Sequence, residues 1–231
     1  MNFYNTVISG LRFLTEDVDE NAFKLSDGQK IDFTPGQFIL VEVSQNPNVM
    51  RAYSVLDYNV EKNELKIGVK KVENGQATTI MFDTFRVGMN IRIAGAMGNK
   101  LIVDKTANED ILLVATGIWI TPMLCVLNDL VESGYKGKID VLYGARTLSE
   151  LHYIEDLSEI SKNNDNVMII PVLSRDNIDG VIKGYVTDVV KSMNLENKTI
   201  YMCSSNAVAN SFKETLVELD FEMSKFKCES A

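Results

Sequence analysis

Two patterns of apolar spacing divide the chain. Up to about Asn99, apolar and polar residues alternate in short runs: Phe38 to Val43, Leu65 to Val72, and "IRIAG" ending near Gly95. A period of two marks a strand with one buried face. Turn residues punctuate these runs, with Asp27-Gly28 and Pro35-Gly36 the clearest pairs. One helical stretch, Thr78 to Phe85, interrupts them. Short strands at this spacing predict a small antiparallel barrel.

From Asp110 the pattern changes. Continuous apolar runs begin at Ile111, Ile139, Val167 and Thr199, which are 28, 28 and 32 residues apart. Helical patterns lie between most of them. Ile120, Met123, Leu124, Leu127 and Val131 fall on one helix face, and Val186, Val189, Val190 and Met193 repeat the rule. Thr121 is placed to cap the first of these helices, with Pro122 at the first helical position. Strands alternating with helices predict a parallel, doubly wound sheet. The expected organisation is an N-terminal antiparallel β-barrel over residues 1–100, then an α/β doubly wound parallel-sheet domain over residues 101–231. The polar stretch from Leu101 to Glu109 separates them.

Composition narrows the partners. The chain has 231 residues, enough for two modest cores, and 45% of them are hydrophobic. Its formal net charge of -9 argues against nucleic acid or an anionic membrane as the main partner. The apolar stretch Ile111 to Leu127 contains Gly117 and Pro122, and reads as a strand plus a helix, not a membrane span. Met1 to Gly10 has no basic start followed by an apolar run, so no signal peptide is expected. Cys125, Cys203 and Cys228 are far apart and form no C-x-x-C. No zinc or iron–sulfur site is expected, and sparse thiols suggest a cytoplasmic protein. His152, the only histidine, reads as a half-exposed side chain near a helix.

Candidate chemistry lies at strand ends. In an open parallel sheet, ligands bind beyond the carboxyl ends. Those ends offer Thr116-Gly117, Gly144-Ala145-Arg146, Ser174-Arg175 and Cys203-Ser204-Ser205. A helix N-terminus near Thr121 favours an anion, and two arginines can clamp a phosphate or carboxylate. Together they describe a nucleotide site. The barrel half contributes "RAYS", Arg51 to Ser54, which suits a ligand with a phosphate and a flat ring. Downstream, Gly75, Gln76 and Ala77 precede the short helix, again a place for phosphate.

The order of these motifs resembles the ferredoxin–NADP reductase superfamily. That family's R-x-Y-[ST] flavin motif is matched by Arg51, Tyr53 and Ser54, and its upstream P-G-Q-aromatic by Pro35 to Phe38. Its G-x-x-[ST] motif is matched by Gly75 and Thr78, and its G-P-x-G by Gly95 to Gly98 with Ala96 for the proline. "TGIWITPM", Thr116 to Met123, stands where the family has G-G-T-G-I-T-P-M, and Cys203-Ser204-Ser205 stands for C-G-P. The resemblance runs from about Pro35 to Phe226.

The resemblance implies a six-stranded barrel holding FAD (rather than FMN) and a domain binding NADPH or NADH. Electrons then pass to a separate acceptor: a ferredoxin-like protein, an oxygenase component or free flavin. It implies flavin contacts from Arg51, Ala52, Tyr53 and Ser54, and from Gly75, Gln76, Ala77 and Thr78. Tyr53 packs on the isoalloxazine, Ser54 bonds near N5, and Phe226 stands where relatives place a ring over the flavin. Thr116, Gly117, Thr121, Arg146, Ser174, Arg175 and Cys203 fall on the nucleotide side, with Ser54 and Cys203 nearest the reacting atoms. Ser174 and Arg175 match positions that bind a 2′-phosphate and lean toward NADPH. Ser224 stands where the family has a carboxylate. Three of the departures fall together, at Thr116, Ile118 and Trp119. An indole replaces a glycine where backbone and pyrophosphate need close approach. Trp119 therefore leaves a second reading open, a flavin-binding electron-transfer or interaction module with a closed nucleotide site.

Overall fold

The computed structural model describes residues 1–107 and 109–230. The chain divides into two units, Met1–Ile102 and Val103–Ala231. The first is built from β1 (Phe3–Phe13), β2 (Val18–Leu25), β3 (Phe38–Gln45), β4 (Asn48–Asn59), β5 (Glu64–Lys70) and β6 (Asn90–Met97). They close into a barrel in the order β1-β2-β5-β4-β3-β6, with every pair antiparallel. Alternation explains the interior: Ile39, Val41 and Val43 of β3 and Leu65, Ile67 and Val69 of β5 point inward and are buried. Each such residue contributes roughly 1.5–3 kcal/mol of burial.

Helix α1 (Gln76–Thr84) packs against β3 and β4 through Met81. It starts two residues earlier than the spacing predicts, because Gly75, with no side chain, occupies the N-cap. The turn before β3 is equally particular. Gly36 has φ +96°, and a Cβ there would stand 2.5 Å from the Leu101 carbonyl oxygen.

The second unit follows the βα alternation. Its strands are β7 (Asp110–Thr116), β8 (Ile139–Ala145), β9 (Val167–Leu173), β10 (Ile182–Lys183), β11 (Lys198–Ser204) and β12 (Phe226–Ser230). Its helices are α2 (Ile120–Glu132), α3 (Ile154–Asn163), α4 (Val186–Val190) and α5 (Asn206–Glu218). The sheet order is β10-β9-β8-β7-β11-β12, parallel throughout. The chain enters at β7, steps outward through β8, β9 and β10, then returns to add β11 and β12 on the other side. The order therefore reverses between β7 and β11, where such sheets open a crevice. Ile111 to Ala115 are buried, as a central strand covered on both faces requires. On one face, Leu112, Val114, Ile200 and Met202 pack against Phe212 and Leu216 of α5. A buried ion pair, Lys198 Nζ to Asp140 Oδ2 at 2.8 Å, ties β11 to β8.

Three local expectations are corrected. Thr121 is not the cap of α2. A 3-10 turn, Gly117–Trp119, runs straight into the helix, and the Ile120 N–H bonds to the carbonyls of Gly117 and Ile118. Trp119 takes the N-cap position and Thr121 is buried in the first turn. His152 is buried, not half-exposed, because its segment is drawn under the Tyr143 hydroxyl, which lies 3.1 Å from its carbonyl oxygen. Helix α4 stops at Val190, although Met193 still packs on the same core. Among the described residues no helix is long and apolar enough to cross a membrane.

Candidate functional site

The first unit gathers its candidates where β4 and α1 meet. Arg51, Ala52, Tyr53 and Ser54 pair with Val41, Leu40, Ile39 and Phe38 of β3. Arg51 is exposed, with its Nη1 donating to the Met50 carbonyl at 2.8 Å, and Ala52 is exposed beside it. Tyr53 and Ser54 are half-buried. The Tyr53 hydroxyl donates to Met81 Sδ at 3.0 Å. Burial pushes this phenol up to about 12, with the Arg51 charge opposing and the Asp19 charge adding. The phenol therefore stays neutral and is no acid–base group near neutrality.

The turn into α1 is shaped for close approach. A Cβ on Gly75 would stand 2.8 Å from Val72 Cβ and 2.9 Å from Thr78 Oγ1. Thr78 is buried, and its hydroxyl closes the turn by accepting the Val72 N–H at 3.0 Å and donating to the Gly75 carbonyl at 3.3 Å. No side chain caps α1 and its first turn has no acidic residue. The amides of Gln76 and Ala77 are thus left to an anion. Two flanking motifs are joined in the same unit. Gln37 Nε2 donates to the Gly98 carbonyl at 3.1 Å, and its Oε1 accepts the Thr34 N–H at 2.8 Å. A guanidinium, a half-buried phenol, and an uncapped helix start fit a ligand with a diphosphate and a flat ring, as FAD has.

The second unit brings together the carboxyl ends of β7, β8, β9 and β11. Gly117 has φ +54°, and its carbonyl accepts the Tyr143 hydroxyl at 3.0 Å. Tyr143 is fully buried, and burial pushes its phenol far up. Trp119 is half-buried on the turn that follows. The β8 and β9 loops are laced together: Ser174 and Arg175 donate backbone N–H bonds to the carbonyls of Ala145 and Arg146 at 3.0 and 2.9 Å. Arg146 is already committed. Its Nε donates to Glu150 Oε2 at 2.9 Å and its Nη2 bonds Glu150 Oε1. Arg175 is exposed, and no described carboxylate forms an ion pair with it.

Cys203 is 1% exposed near the end of β11, level with Ala115 of β7 and Glu229 of β12. Burial, followed by the Glu229 charge, pushes its thiol up. The buried thiol stays protonated and is no thiolate nucleophile. Phe226 does not join this cluster. It opens β12, level with Ile200, and stacks on Phe212 at 6.1 Å in the sheet's core. Ser224 precedes that strand, bonded to Glu222 Oε1 at 2.5 Å. The residue missed from the sequence is Glu229. It is the carboxylate beside Cys203, and only the parallel register of β11 and β12 reveals it. None of the three cysteines forms a disulfide, and no metal-binding group of His, Cys, Asp and Glu occurs among the described residues.

The barrel and the parallel sheet each match a known domain family. Residues 6–101 match the family model described as the oxidoreductase FAD-binding domain, and residues 113–214 match the oxidoreductase NAD-binding domain. The chain belongs to the ferredoxin–NADP reductase superfamily. The paired domains assign FAD and NAD(P)(H) as its cofactors. It is 25% identical over 197 residues to the "ferredoxin--NAD(P)(+), reductase component" of the naphthalene 1,2-dioxygenase system of Pseudomonas putida, covering 84% of this chain and 58% of that one. It is 28% identical over 218 residues to the phenol hydroxylase P5 protein of Acinetobacter pittii, covering 88% and 60%. The chain thus spans about three fifths of the length of these relatives. A Neisseria gonorrhoeae ferredoxin NADP+ reductase with bound FAD and NADP shares the fold, with TM-score 0.86, 17% identity and 100% and 99% coverage of the two chains. So does the FAD/NAD binding domain of a Vibrio cholerae nitric oxide dioxygenase, with TM-score 0.89, 18% identity and 99% and 98% coverage.

Proposed function

We propose that this chain is a flavoprotein reductase that draws electrons from NAD(P)H and delivers them to a separate acceptor. The acceptor is a ferredoxin-like protein, an oxygenase component or free flavin. The first relative is by its name the reductase component of a dioxygenase system, which supports this class. Residues 1–100 form the flavin half and 101–231 the nucleotide half. The uncapped start of α1 behind Gly75, beside Arg51 and Tyr53, carries the reading.

Bound FAD supplies the chemistry, accepting a hydride from nicotinamide and releasing electrons singly. The chain's residues do the rest. Arg51 and the amides of Gln76 and Ala77 neutralise the diphosphate, while Ala52 leaves room beside the guanidinium. The Tyr53 ring would pack against the isoalloxazine, and Ser54 would offer a hydroxyl at its reactive edge. Thr78 holds the phosphate turn in shape. In the other unit, Thr116 and Gly117 approach the nucleotide, Thr121 lines the first turn of α2, and Ser174 and Arg175 receive a 2′-phosphate. The preferred donor is NADPH, because Arg175 is exposed while Arg146 is held by Glu150. Cys203 and Glu229 wall the nicotinamide end. Three unbridged cysteines support a reducing, cytoplasmic setting.

One observation favours a second reading. The Gly117–Trp119 turn is wound into the start of α2 and pinned by Tyr143, with an indole where the family has glycine. If this turn stays shut, the chain is a flavin-binding electron-transfer module that takes electrons from a partner. Anaerobic stopped-flow separates the two. Rapid bleaching of bound flavin by NADPH or NADH supports the reductase. Flavin that bleaches only with dithionite supports the module, as does a Trp119→Gly variant that gains nucleotide-dependent reduction.

A further inference from the structure

Strand β2 carries two polar side chains on its inward face, where a barrel normally packs apolar groups. Asp19 is 3% exposed and Asn21 0%. Both share a face with Phe23, a residue of the barrel core, since side chains two apart on a strand point the same way. Glu20, between them, points the other way and pairs with Arg12. Asn21 Nδ2 donates to Asp19 Oδ1 at 2.8 Å. Asn21 Oδ1 is buried and receives no hydrogen bond from the described residues. A buried acceptor left unmet is costly, and the deficit has a local remedy. A carboxylate cannot donate to that oxygen, whereas a carboxylic acid can.

The pair's position ties it to the flavin end. Asp19 pairs with Val69 and Asn21 with Ile67 of β5. Val55 of β4 also pairs with Ile67, and Tyr53 lies two residues before it on the same strand, near enough for the Asp19 charge to act on its phenol. Tyr53 in turn bonds Met81 of α1. Tyr53 and Met81 pack on the same barrel core as Phe23, which neighbours Asn21 on the inward face of β2.

We propose that Asp19 and Asn21 form a buried acid–amide pair in the flavin-binding barrel that takes up a proton when negative charge builds on the flavin. The proposal rests on the first unit being the flavin domain. Burial raises the Asp19 carboxyl to about 6, with the Asn21 hydrogen bond opposing and the Glu20 charge adding. The other charged or titratable groups around it are accounted for. On β1, Arg12 pairs with Glu20; near β5, Lys70 pairs with Asp17 and Lys71 with Asp83 of α1; on β4 stand Tyr53 and Arg51. No electron passes through Asp19. Two electrons come from the nucleotide, and one proton comes from solvent to the carboxylate.

Two measurements on the FAD-loaded chain test this. Infrared spectra should show the carbonyl stretch of a protonated, buried carboxylic acid growing in as pH falls through about 6, and Asp19→Asn should lack it. The flavin midpoint potential should depend more steeply on pH in the native chain, above about pH 6, than in Asp19→Asn. An acid band that survives in Asp19→Asn, or superimposable potential–pH curves, overturns the proposal. Should Asp19→Asn fail to fold, the native spectrum decides alone, since no band at low pH overturns it equally. Failure of the flavin reading shows separately, as a colourless protein whose infrared band is unaffected.

Discussion

The Tyr53 hydroxyl lies 3.0 Å from the Met81 sulfur, joining β4 to α1 inside the barrel's end. One hydrogen bond thus couples the strand that carries Arg51 to the helix whose first amides are proposed to meet the phosphates. Sulfur is a weak acceptor, so its loss is small. Tyr53→Phe is expected to lower stability by about 0.5–1 kcal/mol and to retain FAD. Tyr53→Ser removes the ring and is expected to weaken FAD binding by about tenfold. Chemical denaturation and fluorescence titration of the flavin-stripped protein check both.

Gly75 is held by crowding, not by its φ angle. An added methyl meets Val72 Cβ at 2.8 Å, Thr78 Oγ1 at 2.9 Å and the Val72 carbonyl at 3.0 Å. Gly75→Ala is expected to cost about 1–3 kcal/mol and to splay the turn. FAD should dissociate measurably faster while far-ultraviolet circular dichroism stays unchanged.

Glu150 neutralises Arg146 through a two-pronged contact. Glu150→Gln is expected to release the guanidinium and tighten NADPH several-fold over NADH, because only NADPH carries the extra phosphate. Arg175→Ala is expected to raise KM for NADPH and leave that for NADH nearly unchanged. Steady-state kinetics with both donors reads each effect.

Asp19 makes stability depend on pH with a definite sign. Its folded carboxyl titrates near 6 against an ordinary 3.8, so the folded state binds more protons between those values. Stability therefore falls as pH rises through that window, and the ionised form is the costly one above it. Asp19→Asn is expected to stabilise the protein above about pH 6 by about 3 kcal/mol at most, and hardly at all near pH 4. Urea midpoints at the two pH values measure the difference.

Local pattern made much of this legible. Period-two runs marked β3 and β5, and 28-residue spacing marked β7, β8 and β9. What stayed hidden depended on contacts distant in sequence. Thr121 looked like a cap because nothing local announces that Gly117–Trp119 winds into the helix. His152 looked half-exposed because its cover, Tyr143, lies on a neighbouring strand. The Arg146–Glu150 contact was readable as an i, i+4 pair, but the motif drew attention to the arginine alone. Glu229 meets Cys203 only through the register of two parallel strands. Strand β2 was not among the runs the alternation marked, so the inward placing of Asp19 and Asn21 shows only in the closed barrel.

The most direct measurement is the visible spectrum of the purified chain after FAD loading and desalting, followed by heat release into the supernatant. Tight retention of one FAD per chain, with flavin absorbance and released fluorescence that Arg51→Ala and Gly75→Ala both diminish, is the expected result. A folded chain that stays colourless and releases no fluorescent flavin would contradict it.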